Sequence, residues 1–212
     1  MKKITEFHIK IRLDHVLHYI DCKRDSEIYE EVRTEYDALL NDIYEKITPT
    51  VLLEFGSLAD EDKIIGNEKQ KEALFCILTV GEEVSRWSTK LFQEGNYLGG
   101  MLADAMADDY LFQMDFALKR IVIELCKEKG YGVLRRLEAP LDIDMHVQKT
   151  AWETTRAEEE IGLKIKESYM YDPVKTMCQV YLLQKGSCNY QVEHDCSRCS
   201  NLNCKMRNLS QS

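Results

Sequence analysis

One stretch constrains the fold more than any other: Ala73-Leu74-Phe75-Cys76-Ile77-Leu78-Thr79-Val80, the longest apolar run in the chain. It is far too short to cross a bilayer, which takes about 20 apolar residues in a helix. In a strand, successive side chains point to opposite faces, so a run apolar on both faces belongs inside a sheet. A polar turn at residues 67–70 precedes it and Gly81 follows it. The run therefore reads as a central strand.

The rest of the chain alternates helix and strand around it. Phe7, Ile9 and Ile11 alternate with polar residues, which predicts a first strand over residues 4–11. Asp14 stands where it would cap a short helix carrying Val16, Leu17 and Ile20. Ser26 stands likewise before a long amphipathic helix with Ile28, Val32, Leu39, Leu40, Ile43 and Ile47 on its apolar face, ended by Pro49. Residues 51–55 read as a strand. A helix is expected over about residues 82–92, and a long one from near Asn96 to Lys129, where Gly130 stops it. Pro140 and Leu141-Asp142-Ile143-Asp144 read as a loop, and residues 145–160 as one helix ended by Gly162. Leu163, Ile165 and Glu167 open a strand, Asp172-Pro173 turns the chain, and residues 176–183 give a further strand. The fold class is α+β: a mainly antiparallel twisted sheet packed with long helices. Residues 1–184 form this domain and residues 185–212 a cysteine-rich tail.

Composition narrows the function. A chain of 212 residues, 44% hydrophobic and 31% charged with three prolines, has the makings of a folded core. A net charge of −9 and no dense basic stripe argue against a nucleic-acid partner. No membrane span is expected, and Met1-Lys2-Lys3 is followed by Thr-Glu-Phe-His, not by a signal-like apolar stretch. The expected compartment is the cytoplasm, where thiols stay reduced and clustered cysteines read as metal ligands before disulfides. Of the scattered Cys22, Cys76, Cys126 and Cys178, three lie in apolar runs and read as buried packing.

The tail cysteines differ. Cys188, Cys196, Cys199 and Cys204 are separated by seven, two and four residues. The two-residue gap lets Cys196 and Cys199 reach one metal, and the other two can complete four sulfurs around zinc or an iron–sulfur cluster. His194 is an alternative to Cys188. Spacing does not choose between zinc and a cluster, because both use four thiolates.

The second half of the chain resembles the activation domain of cobalamin-dependent methionine synthase, and free-standing proteins built from that domain alone. The resemblance rests on residues 73–81, on Gly99-Gly100-Met101-Leu102-Ala103-Asp104-Ala105, and on Trp152-Glu153 with Glu158. It continues through Ile161-Gly162-Leu163-Lys164-Ile165-Lys166-Glu167-Ser168, similar to the family's Ile-Gly-x-x-Leu-Thr-Glu-Ser, and through Asp172-Pro173-Val174-Lys175-Thr176. It implies reductive reactivation of cobalamin carried by a separate corrinoid methyltransferase. An electron would come from a flavodoxin or ferredoxin donor and a methyl group from S-adenosylmethionine. The family's ligand loop reads Arg-x-x-Pro-Gly-Tyr, where this chain has Arg135-Arg136-Leu137-Glu138-Ala139-Pro140-Leu141. The residues that would meet the ligand are then Arg135 or Arg136 for its carboxylate, with Ala139 and Tyr190. The family also sets a glutamate in its long helix; the nearest positions here are Phe112, Gln113 and Asp115. The alternative function is a metal- or cluster-binding accessory or electron-transfer protein for the same kind of partner, without the methyl donor.

Overall fold

A computed structural model describes residues 1–66, 69–197, 202, 204 and 205. Its centre is a five-stranded antiparallel sheet in the order β1 (Lys2–Ile4), β2 (Thr50–Ser57), β3 (Glu72–Thr79), β7 (Thr176–Lys185), β4 (Tyr131–Leu137). The apolar run lies in β3, at the middle of the sheet. Leu74, Cys76 and Leu78 face one core, while Ala73, Phe75 and Ile77 face another. Both faces are covered, which is why the strand carries no polar side.

The larger core lies under the helical layer of α1 (Leu13–Tyr19), α2 (Tyr29–Lys46), α3 (Glu83–Gln93) and α4 (Tyr97–Glu128). In α4 the buried residues Leu102, Met106, Tyr110, Met114, Leu118, Val122 and Cys126 recur every four positions, forming one apolar stripe. Asn96 caps this helix, its side chain accepting from the Gly99 amide at 2.8 Å. Gly130 ends it with a left-handed φ of 75°. The smaller core lies beneath α5 (Val147–Thr154) and α6 (Ala157–Ile161), beside the two-stranded β5 (Lys164–Ile165) and β6 (Tyr171–Asp172).

Five elements depart from the sequence reading. The first strand is Lys2–Ile4, and Phe7 and Ile9 pack against the larger core outside any strand. Asp14 and Ser26 do not cap their helices: the N-caps are Arg12 and Ile28, with no side-chain cap bond among the described residues. Asp14 instead sits in the first turn of α1, where an acidic residue suits the helix dipole. The single helix expected over 145–160 is two, broken where Arg156 takes a left-handed φ of 50°. The edge strand β4 has no counterpart in the sequence reading at all.

Ile77→Asp places a carboxylate in the sealed core beneath β3, with no partner, and costs several kcal/mol, a large share of a domain's stability. The variant is expected to aggregate or to melt far below the wild type in a thermal denaturation; an unchanged melting temperature contradicts the placement of β3.

Candidate functional site

The candidate site is built on β4. A bulge between Val133 and Arg135 shifts its register against β7. Neighbouring strand residues point to opposite faces, so Arg136 turns to α4 while Arg135 turns to the loop carrying Asp142. Arg136 Nη1 donates to both carboxylate oxygens of Asp115, each at 2.8 Å. Its Nη2 lies 2.5 Å from Glu138 Oε1. Asp115 also accepts from Gln179 Nε2 at 2.8 Å, and Gln179 Oε1 accepts from the Tyr181 hydroxyl at 2.7 Å. Arg136, Asp115, Gln179 and Tyr181 are all buried. Arg135 Nη2 donates to Asp142 Oδ1 at 2.6 Å, and Asp142 Oδ2 accepts from the Glu138 amide.

The electrostatics follow from this packing. Burial alone would lower the Arg136 pKa, but Asp115 and Glu138 outweigh it and hold the guanidinium charged. Burial alone would raise the Glu138 carboxyl, yet His194 and Arg136 hold it below its ordinary value. Burial pushes the Tyr181 hydroxyl well up, so it remains a neutral donor. Two polar atoms here are buried without a hydrogen-bond partner among the described residues: Arg136 Nε, and Glu138 Oε1, which has only its ion pair with Arg136 Nη2.

The tail covers this ground. After Gly186 the chain passes across the start of β4 and runs parallel to it on its open edge. The Val133 amide donates to Asn189 O at 2.7 Å and the Gln191 amide to Val133 O at 3.0 Å. Gly132 permits the crossing, because a Cβ there would lie 2.7 Å from the carbonyl oxygens of Ser187 and Asn189. Val192 is buried in the larger core, Glu193 takes Lys119 at 2.8 Å, and His194 Nδ1 stands 3.2 Å from Glu138. Between segment and strand lies a cavity of about 50 Å³, with Arg135, Arg136 and Asp142 on one side and Gln191, Glu193 and His194 on the other.

The remaining expected site residues lie as follows. Tyr190 stands beside Val133, with the Lys127 ammonium 5.0 Å over its ring. Ala139 follows β4, its peptide to Pro140 is cis, and it packs against the smaller core. Cys188 is exposed and Cys196 and Cys204 are partly so, while Cys199 lies outside the described residues. Lys205, next to Cys204, sits at the C-terminal end of α1, with its ammonium on Tyr19 O and 2.7 Å from Asp21. No three His, Cys, Asp or Glu side chains converge as a metal would need among the described residues. Cys76 and Cys126 are buried and Cys178 partly so, with burial raising all three thiols, to about 11 at Cys126 and about 12 at Cys178. Such thiols stay protonated and packed.

Sequence reasoning gave Glu138 and Gln179 no role, took His194 only as an alternative metal ligand, and left Asp115 as a position without a clear match. A heptad-scale reading of α4 carries the signal for Asp115, which sits one residue after Met114 of the buried stripe.

No family model matches this chain, and no curated protein matches it. Among solved structures it is similar to that of the MetH reactivation domain bound to AdoHcy. The TM-score is 0.54 at 13% identity, over 88% of this chain and 74% of that one. The fold is therefore that of the MetH reactivation domain. No helix among the described residues is long and apolar enough to cross a membrane.

Asp115→Ala leaves the Arg136 charge buried beside a void, and breaking such a pair costs about 3–5 kcal/mol. Chemical denaturation should show that loss as a lower midpoint. Glu138 adds an acid limb. Its folded pKa lies below the ordinary 4.5, so its stabilisation is complete above that pH and is lost as pH falls through the depressed value. Glu138→Gln should flatten the decline in melting temperature below about pH 4.5.

Proposed function

We propose that this chain reactivates the cobalamin of a separate corrinoid methyltransferase, such as methionine synthase, with S-adenosylmethionine as methyl donor. The fold shared with a MetH reactivation domain supports the reading. The observation that carries its ligand half is Arg136 itself, which lines the cavity and keeps one buried donor, Nε, without a partner that a ligand carboxylate oxygen would satisfy. Reduction of oxidised cobalamin by a flavodoxin or ferredoxin donor is unfavourable alone, and transfer of the sulfonium methyl group to the reduced cobalt draws it forward.

The residues of this chain hold and orient. Asp115 and Glu138 hold the guanidinium of Arg136, a residue that lines the cavity, in a fixed place. Arg135 stands beside it, with Asp142 as a carboxylate that an incoming one would replace. Ala139 and Tyr190 lie towards opposite ends of β4, so they suit a ligand laid along the strand edge. Holding donor and cobalt in line is worth about 7–11 kcal/mol at best. A cavity of about 50 Å³ takes a carboxylate or a water and not a nucleoside, since small-molecule pockets span about 300–1,000 Å³. While residues 191–195 remain docked, S-adenosylmethionine as a whole does not fit.

That mismatch favours a second reading: a metal-binding accessory or electron-transfer protein for a corrinoid partner that no longer takes the methyl donor. Its centre would be zinc or an iron–sulfur cluster on Cys188, Cys196, Cys199 and Cys204.

Calorimetric titration of S-adenosylmethionine into the anaerobically purified protein, with and without a corrinoid methyltransferase, separates the two. Binding is expected, and Arg136→Lys should weaken it about tenfold or more. The substitution keeps the charge on Asp115 but removes Nε, and hydrogen bonds to charged groups are worth about 1.5–3 kcal/mol. No heat at millimolar ligand in either mixture leaves the accessory reading.

A further inference from the structure

A second recess opens where the C-terminal end of α4 meets the sheet. Its volume is about 470 Å³, within the range of about 300–1,000 Å³ that small-molecule sites span. Leu53 and Phe55 of β2 and Leu74 of β3 line it from the sheet, Leu125 from α4 and Tyr131 from the start of β4. No residue lines both this recess and the Arg135–Arg136 cavity. Leu53 and Leu74 are buried and form the floor, while Phe55, Leu125 and Tyr131 are half-buried and pack on the larger core. The aromatic wall is fixed in place. The Tyr131 hydroxyl donates to Glu72 at 3.0 Å, and the Tyr131 ring stacks on Phe55 with centroids 6.0 Å apart.

The charges at the rim are uneven. Glu54 is engaged: Oε2 pairs with the Met1 amino group and Oε1 accepts from the Phe55 amide at 3.1 Å. Lys2 of β1 is the cross-strand partner of Leu53, which puts both side chains on the recess face of the sheet. Lys129 is the C-cap of α4. There the carbonyls of Leu125, Cys126 and Lys127, the negative end of the helix, already accept from the Lys129 and Gly130 amides. Lys2 and Lys129 are exposed and form no ion pair among the described residues. An apolar floor beneath two unpaired ammonium groups suits a molecule with an apolar body and one negative head.

We propose that this recess binds a free amphipathic monocarboxylate, its apolar body on Phe55, Leu125 and Tyr131 and its carboxylate between Lys2 and Lys129. A neutral amphiphile keeps the apolar contact and loses the ion pairs. A cationic one meets like charge. The site does not depend on the function proposed above.

Backbone amide shifts of the full chain, titrated with decanoate well below its micelle concentration, test this. Phe55, Leu125 and Tyr131 should shift, while Arg136 and Gln191 at the other cavity stay in place. Decanol should bind at the same place about fivefold more weakly, the worth of an exposed ion pair, and decylamine more weakly still. Lys2→Ala combined with Lys129→Ala should weaken decanoate about fivefold and leave decanol unchanged. Both positions are exposed, so the double variant keeps the fold. Leu125→Ala should weaken both ligands. No shifts, or shifts scattered over exposed apolar residues such as Tyr97 and Met170, overturn the proposal. So does decylamine binding as tightly as decanoate, or a double variant that binds decanoate unchanged. Shifts at these amides that follow protein concentration alone mark a face between two copies and overturn it equally. None of these readouts uses S-adenosylmethionine or a corrinoid partner, so this site and the proposed function fail separately.

Discussion

Taking a guanidinium out of water costs several kcal/mol, and the cost is met only where carboxylates and hydrogen bonds surround it in good geometry. Arg136 sets that condition for this fold. Its ion pair with Asp115, Nη1 donating to both carboxylate oxygens, ties the edge strand β4 to the long helix α4. Gln179 and Tyr181 extend the network across β7, so three elements are aligned by one charge. Polar networks of this kind rigidify when every member is satisfied and are costly when one is not. Here Arg136 Nε and Glu138 Oε1 have no hydrogen bond among the described residues, and Arg136 lines the cavity. The interaction that fixes the edge of the sheet is thus also the one that leaves a binding valence.

The same edge explains the tail. An open strand edge presents unpaired amides and carbonyls that another chain can join. Residues 189–191 take that place on β4 in parallel, with Gly132 clearing the path and Val192 anchoring it in the core. A tail with little apolar content gains shape by docking in this way. Cys188 and Cys196 flank the docked piece rather than sitting within it.

How much of this was legible in sequence depends on where the physics is local. The central strand β3 and the bounds of α4, from near Asn96 to the stop at Gly130, were readable, because apolar runs and left-handed glycines carry their signal within a few residues. The β4 strand was not. A bulge breaks its alternation, and Tyr-Gly-Val-Leu-Arg-Arg-Leu places a buried charge where a surface one is the ordinary expectation. The break at Arg156 was hidden because Arg in a left-handed conformation has no sequence mark of the kind glycine gives. The arginine pair was singled out from sequence, but its partners were not. Asp115 and Gln179 reach Arg136 only through the packing of α4 and β7, which no local pattern encodes.

The charge around Arg136 bears on what the cavity would select. Asp115, Glu138, Asp142 and Glu193 outnumber Arg135 and Arg136 at this place. A simple anion approaching it meets two arginines whose fields are already spent on fixed carboxylates, so the gain from its negative charge alone is small. A molecule with a carboxylate at one end and a cationic group at the other gains twice, on the Arg136 donor and on the surrounding acids.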